Sequence, residues 1–207
     1  MAPSELRIAS ADFVISAAKP AQVPRDGLPQ VAFAGRSNVG KSSLLNALTG
    51  RKRLAHVSST PGRTRLLNVY RINNAMYFVD LPGYGFAKAP RAMREQWGHL
   101  ITAYLRTCPD LRAVVAIFDI RREPSGDDED LLHWLAAHRI PIIAVLTKAD
   151  KLSRMRQQEA LRHWTAALAP WSPAGPVLFS ATTRTGRDEL LGLIAEAAAR
   201  APRPPQE

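Results

Sequence analysis

Cysteine is all but missing from this 207-residue chain. The single Cys108 cannot close an internal disulfide, so the fold must rest on packing, and a reducing compartment is the natural expectation. Long apolar runs are absent too: nowhere do about 18 apolar residues follow one another, which argues against a membrane-spanning helix. The first residues, MAPSELRIASADFVISAAKP, carry no long apolar core behind a basic start, so no export signal is read and a cytoplasmic protein is expected. Acidic residues are scarce beside basic ones, 18 against 28, leaving a formal net charge of +10. Such a surface concentrates polyanions; RNA, anionic lipid and plain solubility are all compatible with it. The five histidines show no metal-ligand spacing, and His133 and His138 miss a shared helical face.

What is present is an alternation of short apolar runs with longer segments of helical period, the pattern of an α/β fold. Strands are expected at 31–34, 66–72, 75–80, 113–119, 142–147 and 177–180. Only Asn73 and Asn74 separate the second from the third, too few for a crossover, so those two should pair antiparallel while the others run parallel. The result is a mixed, mostly parallel sheet of about six strands with helices on both faces. Helices are expected at 41–49, 91–107, 127–138, 154–169 and 187–200. Ser125 before the run Asp127-Asp128-Glu129-Asp130 reads as a helix start with acids at the positive end of the dipole, rather than as a metal site. Residues 29–200 make one domain, preceded by an extension over 1–28 and followed by a disordered Pro-rich tail over 201–207. Trp97, Trp134, Trp164 and Trp171 have apolar neighbours and are read as packing residues.

Gly35-Arg36-Ser37-Asn38-Val39-Gly40-Lys41-Ser42 fills GxxxxGK[ST] completely, follows an apolar strand and opens a helix. Glycines let the backbone wrap so that successive N–H groups and the helix N-terminus face phosphates, Lys41 reaches the β and γ oxygens, and Ser42 is placed to ligate Mg²⁺. The loop alone does not separate ATP from GTP. Thr147-Lys148-Ala149-Asp150, ending a strand, does: a carboxylate there accepts from both N1–H and the 2-amino group of guanine, a pair adenine lacks. Asp150 is therefore the base reader and Lys148 the residue laying its stem over the base. Thr147 stands where GTPases usually carry Asn. Phe179-Ser180-Ala181 closes the last strand, with the N–H of Ala181 placed for guanine O6. Asp80-Leu81-Pro82-Gly83 ends the third strand, Asp80 holding Mg²⁺ through water and the N–H of Gly83 sensing the γ-phosphate. Between them, residues 57–65 are polar and turn-rich, as a nucleotide-ordered segment should be, and one Thr hydroxyl there should complete the Mg²⁺ shell.

GRSNVGKS, TPGRT, DLPGYG, TKAD and FSA stand in order between about Gln30 and Ala199. In this the chain resembles the EngB (YihA/YsxC) ribosome-assembly GTPases of the TrmE-Era-EngA-EngB-Septin-like superfamily. Thr at the head of TKAD is usual in that family. The resemblance implies a nucleotide site that includes Gly62, Arg63, Thr64, Arg65 and Leu66, with Thr64 on Mg²⁺ and Thr60 as the alternative. It implies GTP hydrolysis as a switch in assembly of the large ribosomal subunit, and a need for the protein in normal cell division and septation. It also implies that Asn38 holds K⁺ against the phosphates; the plainer reading is that Asn38 supports the loop by a backbone hydrogen bond.

Tyr84 follows Gly83 where the Ras pattern has a water-orienting Gln, and a phenol cannot replace an amide's paired donor and acceptor. Slow intrinsic turnover is expected, with Lys41, Asn38, Thr64 and Gly83 as the chain's own catalytic set. Arg51-Lys52-Arg53, Arg63/Arg65, Arg121-Arg122 and Arg184/Arg187 are candidate contacts to RNA phosphates. Two functions compete: a monomeric switch enzyme docking on a ribosomal particle, and a guanine-nucleotide-regulated binding module whose hydrolysis is incidental.

Overall fold

The computed structural model describes residues 6–52, 54–55, 66–84 and 91–202, with the helix that begins at 91 described by backbone alone up to residue 97. Seven strands form one sheet: β1 (Ala11–Ala17), β2 (Gln30–Gly35), β3 (Leu67–Ile72), β4 (Met76–Asp80), β5 (Leu111–Asp119), β6 (Ile142–Thr147) and β7 (Val177–Leu178). Their spatial order is β1-β3-β4-β2-β5-β6-β7. The β3–β4 pair is antiparallel and joined through Asn73 and Asn74, both at positive φ, while β4, β2, β5, β6 and β7 run parallel. Five α-helices join them: α1 (Lys41–Thr49), α2 (Arg91–Thr107), α3 (Gly126–Ala137), α4 (Arg154–Leu168) and α5 (Arg187–Ala198).

Strand alternation divides the core between two faces. Val31 and Phe33 of β2 pack with Leu44, Leu45 and Leu48 of α1 and with Leu190, Leu191 and Ile194 of α5. Ala32 and Ala34, pointing the other way, meet Tyr104 and Leu105 of α2 and Leu135 of α3. Farther along that second face, Phe118 and Leu146 pack on Leu132 of α3 and on Trp164 and Leu168 of α4. With both faces covered, β5 is buried at all nine positions, as parallel strands must be. Trp164 lies in the core, as expected, with its indole N–H donating to the Arg122 carbonyl at 3.1 Å; Trp97 lies outside the described side chains.

The seventh strand comes from the segment expected to precede the domain. β1 pairs antiparallel with β3 along the sheet edge, with its register shifted between Phe13 and Ile15. Asn73 fastens the chain ahead of it, accepting from Ala9 N and Ser10 N at 2.8 and 3.0 Å and donating to the Arg7 carbonyl at 2.6 Å. At the other end β7 stops at Leu178, short of the expected Ser180, because Ser180 N turns away to the Thr185 carbonyl.

The start of α3 bears out the helix-start reading, with Asp128 in the main role. Its carboxylate accepts from Ser125 N at 3.0 Å and from Ser125 Oγ at 2.7 Å, tying the backbone where α3 begins. Among the described residues no group of three or more His, Cys, Asp or Glu side chains is arranged to hold a metal ion.

Candidate nucleotide site

In a parallel sheet the loops beyond the carboxyl ends of the strands face one another, and that edge is where ligands bind. Among the described residues the phosphate loop, DLPG, TKAD and FSA leave from it. The loop after β2 is tight by necessity: a Cβ on Gly35 would lie 2.8 Å from Val39 Cγ1 and 2.9 Å from the Ile117 carbonyl, so only glycine fits. Gly40 takes φ +108°, open to glycine alone without strain, and its carbonyl accepts the first α1 bond from Leu44 N at 2.9 Å. Arg36 and Ser37 are half-buried, Val39 is buried, and Lys41 and Ser42 stand in the first turn of α1.

Lys41 Nζ donates to Asp80 Oδ1, and both side chains are almost wholly enclosed. Asp80 ends β4 and is followed by buried Leu81 and Pro82. Gly83 lies on Ser37, where a Cβ would come within 3.1 Å of Oγ and 3.3 Å of N. The next residue continues this pairing: Ser37 N donates to the Tyr84 carbonyl at 3.1 Å, and Tyr84 N to the Gly35 carbonyl at 3.3 Å. The Tyr84 phenol donates to Asp128 Oδ1 at 2.9 Å. Burial first, then the Asp128 carboxylate, raises its pKa far above the ordinary phenol value, so it is a fixed donor rather than an acid–base group.

TKAD locks onto the phosphate loop from the other side. Thr147 is buried, its Oγ1 lying 2.6 Å from the Val39 carbonyl and 2.9 Å from the Phe118 carbonyl. A hydroxyl thus does here the bridging that an amide would do. Lys148, at φ +62°, donates from Nζ to the Asn38 carbonyl at 2.7 Å. Asp150 Oδ1 accepts from Ser180 Oγ at 2.7 Å, and Lys151 Nζ lies 3.3 Å from Oδ2. The Ser180 bond, more than the Lys151 contact, holds the Asp150 carboxyl below the usual carboxylate range against the opposing effect of burial. Ala149 N donates to the Phe179 carbonyl at 3.2 Å, so TKAD and FSA form one platform, with Phe179 buried and Ala181 half-buried beside it.

The family model described as 50S ribosome-binding GTPase matches residues 30–148. A relative from Geobacter metallireducens, named as a GTP-binding protein EngB, is 49% identical over 191 residues, covering 91% of this chain and 92% of the relative. This chain belongs to the EngB family of P-loop GTPases. An EngB relative from Bacillus subtilis is 45% identical over 189 residues, 91% of this chain and 97% of its own length. A crystal structure titled as an engB GTP-binding protein aligns with a TM-score of 0.67 at 25% identity, over 82% of this chain and 98% of that one.

In this EngB-family chain the described residues bring together all the predicted site positions of the phosphate loop, DLPG, TKAD and FSA. Leu66 stands half-buried just before β3. Gly62, Arg63, Thr64 and Arg65, with the alternative Thr60, lie outside the described residues. Asn38 is exposed at φ +63° and uses its carbonyl, not its amide, to accept from Lys148. Two of the basic candidates for RNA have structural partners. Arg121 pairs with Asp119, and Arg187 donates to the carbonyls of Ala47 and Leu48 at 3.0 and 2.8 Å. The latter satisfies the C-terminal end of α1, where a cation is favoured.

Sequence reasoning passed over Asp119, gave Asp128 only a place in the acidic run that starts α3, and gave Arg187 only as a candidate RNA contact. For Asp119 a signal was there: an apolar strand ended by an acid at the same sheet edge, the pattern already used to pick Asp80.

Proposed function

We propose that this chain binds GTP with Mg²⁺ and hydrolyses it as a switch that docks on the large ribosomal subunit or its precursor, acting as a cytoplasmic monomer. The observation that carries the nucleotide reading is the direct fastening of TKAD to the phosphate loop through Thr147 and Lys148. It joins the turn that carries Asp150, which we read as the base reader, to the loop that leads into Lys41, which we read as the phosphate contact. An ionised Asp150, with Ser180 on one oxygen, keeps lone pairs for the two N–H groups of guanine. Lys41, paired with Asp80, would exchange that carboxylate for the β and γ oxygens of a bound nucleotide.

The Ser42 hydroxyl in the first turn of α1 and the Asp80 carboxylate at the end of β4 are hard oxygen donors, and that set fits Mg²⁺; Thr64 would add a third oxygen. When bound, the ion would supply positive charge to offset that of the phosphates. Because the Tyr84 phenol is committed to Asp128, the group that stabilises charge during hydrolysis must come from elsewhere, and K⁺ held at the exposed Asn38 is our reading. The ribosomal part rests on the family's description and on the +10 charge. No helix among the described residues is long and apolar enough to cross a membrane, and no membrane partner is proposed.

Co-sedimentation with purified large subunits tests the switch. Retention should be strongest with a non-hydrolysable GTP analogue, weaker with GDP, and should fall as salt rises because phosphate contacts release counterions. Equal retention with analogue, GDP and no nucleotide would remove the switch from the account.

A further inference from the structure

Asp119 closes β5 at the nucleotide edge of the sheet, is 5% exposed, and belongs to none of the GTPase motifs. Its carboxylate is nonetheless the most heavily engaged near the site. Oδ1 accepts from Arg121 N at 3.1 Å and Arg121 Nε at 2.9 Å, and Oδ2 from Arg121 Nη2 at 2.7 Å. Oδ2 also accepts from Lys148 Nζ at 2.9 Å. The two-bond Arg121 fork fixes the carboxylate plane, which a single charged contact would leave free to swing.

Lys148 is the second cation on that carboxylate, and its place is unusual. The residue sits at φ +62°, a backbone state that a lysine keeps only when its surroundings impose it. Its ammonium is shared between Asp119 and the Asn38 carbonyl of the phosphate loop, and its Cε passes alongside Gly40. A lysine stem held only by one neutral carbonyl would keep much of its rotamer freedom and lose it on binding. Held at its tip by a buried anion as well, it is ordered before any base arrives.

We propose that Asp119, clamped by Arg121, is a positioning residue of the guanine site: it pins the Lys148 ammonium to the phosphate loop so that the stem forms a preset wall for the base. The proposal rests on the nucleotide-site reading above. Asp119 touches no nucleotide itself and acts through Lys148. It also ties the base-reading turn to the phosphate loop by charge, beside the neutral Thr147 bridge. Two halves of the site that lie far apart in sequence thereby respond together to an occupied base pocket.

A double-mutant cycle on the release of fluorescent GDP separates this role from simple support of the turn after β5. Asp119→Asn keeps the shape and removes the charge; it should speed release about tenfold, equivalent to about 1.4 kcal/mol. Lys148→Met should speed release at least as much, and Asp119→Asn added to Lys148→Met should change it by less than about twofold, since coupled residues are not additive. Full additivity, or no effect of Asp119→Asn alone, would overturn the proposal. Should Asp119→Asn fail to fold, Arg121→Ala, at a half-exposed side chain, gives the same cycle. A rise of about threefold that vanishes in Lys148→Met supports the clamp, and one that persists there refutes it. Release unchanged by Lys148→Met itself would sink the base-site reading and not merely the positioning step.

Discussion

Replacing Thr147 by Val keeps the branched shape of a buried residue and deletes one oxygen. That oxygen is 2.6 Å from the Val39 carbonyl and 2.9 Å from the Phe118 carbonyl, with the side chain 3% exposed. The added methyl cannot donate, and water has little room to replace the donor, so at least one buried carbonyl is left short of a partner. Such a loss costs about 1 to 3 kcal/mol. For a domain of this size each kcal/mol lowers Tm by about 2–4 °C, so a drop of about 2–12 °C is expected. The Val39 carbonyl belongs to the loop that wraps the phosphates, so the loss should also appear as faster GDP release. Thr147→Ser, which keeps the hydroxyl, should recover most of the release rate while losing only the packing of one methyl. Thermal melts of nucleotide-free protein and stopped-flow release of fluorescent GDP measure both. Thr147→Val that melts and releases GDP like the parent, or Thr147→Ser that fares no better than Thr147→Val, would refute the argument that this hydroxyl couples the two motifs.

Asp150→Asn turns one acceptor of the base reader into a donor and should move preference from GTP to XTP; competition binding in which GTP still wins would reassign the base contact. Tyr84→Phe removes only the bond to Asp128, so Tm should fall by about 2–4 °C for about 1 kcal/mol lost, with turnover within about twofold; a hundredfold slower single turnover would make the phenol catalytic after all. Turnover should be slower in Na⁺ than in K⁺ at equal ionic strength, and Asn38→Ala should erase the difference with GDP binding retained; matching rates in the two salts, measured with ribosomal particles present, would exclude the ion. Acid should destabilise the fold through Asp119 and Asp150. Burial tends to raise the Asp119 carboxyl, but its bonds to Arg121 and Lys148 outweigh this and hold it below its ordinary 3.8, and the Ser180 hydroxyl lowers Asp150. The unfolded chain therefore takes up protons first, so the contribution is fully present above about pH 5, begins to fall near 3.8 and is lost as pH drops on through the lower folded-state value. Urea midpoints that rise on acidification over that window would contradict the sign.

Motifs whose chemistry dictates residue identity were legible without coordinates. The phosphate loop, Asp80, TKAD and the Ser180 turn each announce themselves within eight residues, and the sheet edge then brings them together. β1 was not legible for a local reason. Its stretch ADFVISA exposes Phe13 and Val14, and the register shift there breaks strict alternation; only pairing with β3, more than fifty residues on, makes it a strand. Distance in sequence hid the other contacts as well. Tyr84 and Asp128 are 44 residues apart, Asp119 and Lys148 are 29 apart, and Arg187 lies 139 or more from the α1 carbonyls it caps. Thr147 was legible as a departure from the usual Asn, but its two carbonyl partners could not be named until β5, β6 and the loop were in place.

The same edge shows how a basic chain organises lysines around a site meant for a polyanion. Each reading turn carries an acid with a lysine on it: Asp80 with Lys41, Asp119 with Lys148, and Asp150 with Lys151. The three pairs differ in what else the acid holds. Among the described residues Asp80 pairs with Lys41, so on the proposed reading incoming phosphates can draw the ammonium away without leaving it unpaired. Asp119 has the Arg121 fork besides Lys148, and its carboxylate stays satisfied whatever the nucleotide does. Asp150 is steadied by a neutral hydroxyl and by Lys151, which is 60% exposed, so its charge is only lightly compensated and remains available to the base. On the proposed reading, these are an exchangeable pair for the phosphates, a permanent one that holds the base wall and a weak one at the base reader. That ordering is why removal of charge at Asp119 should loosen the site, while removal of charge at Asp150 should change what the site accepts.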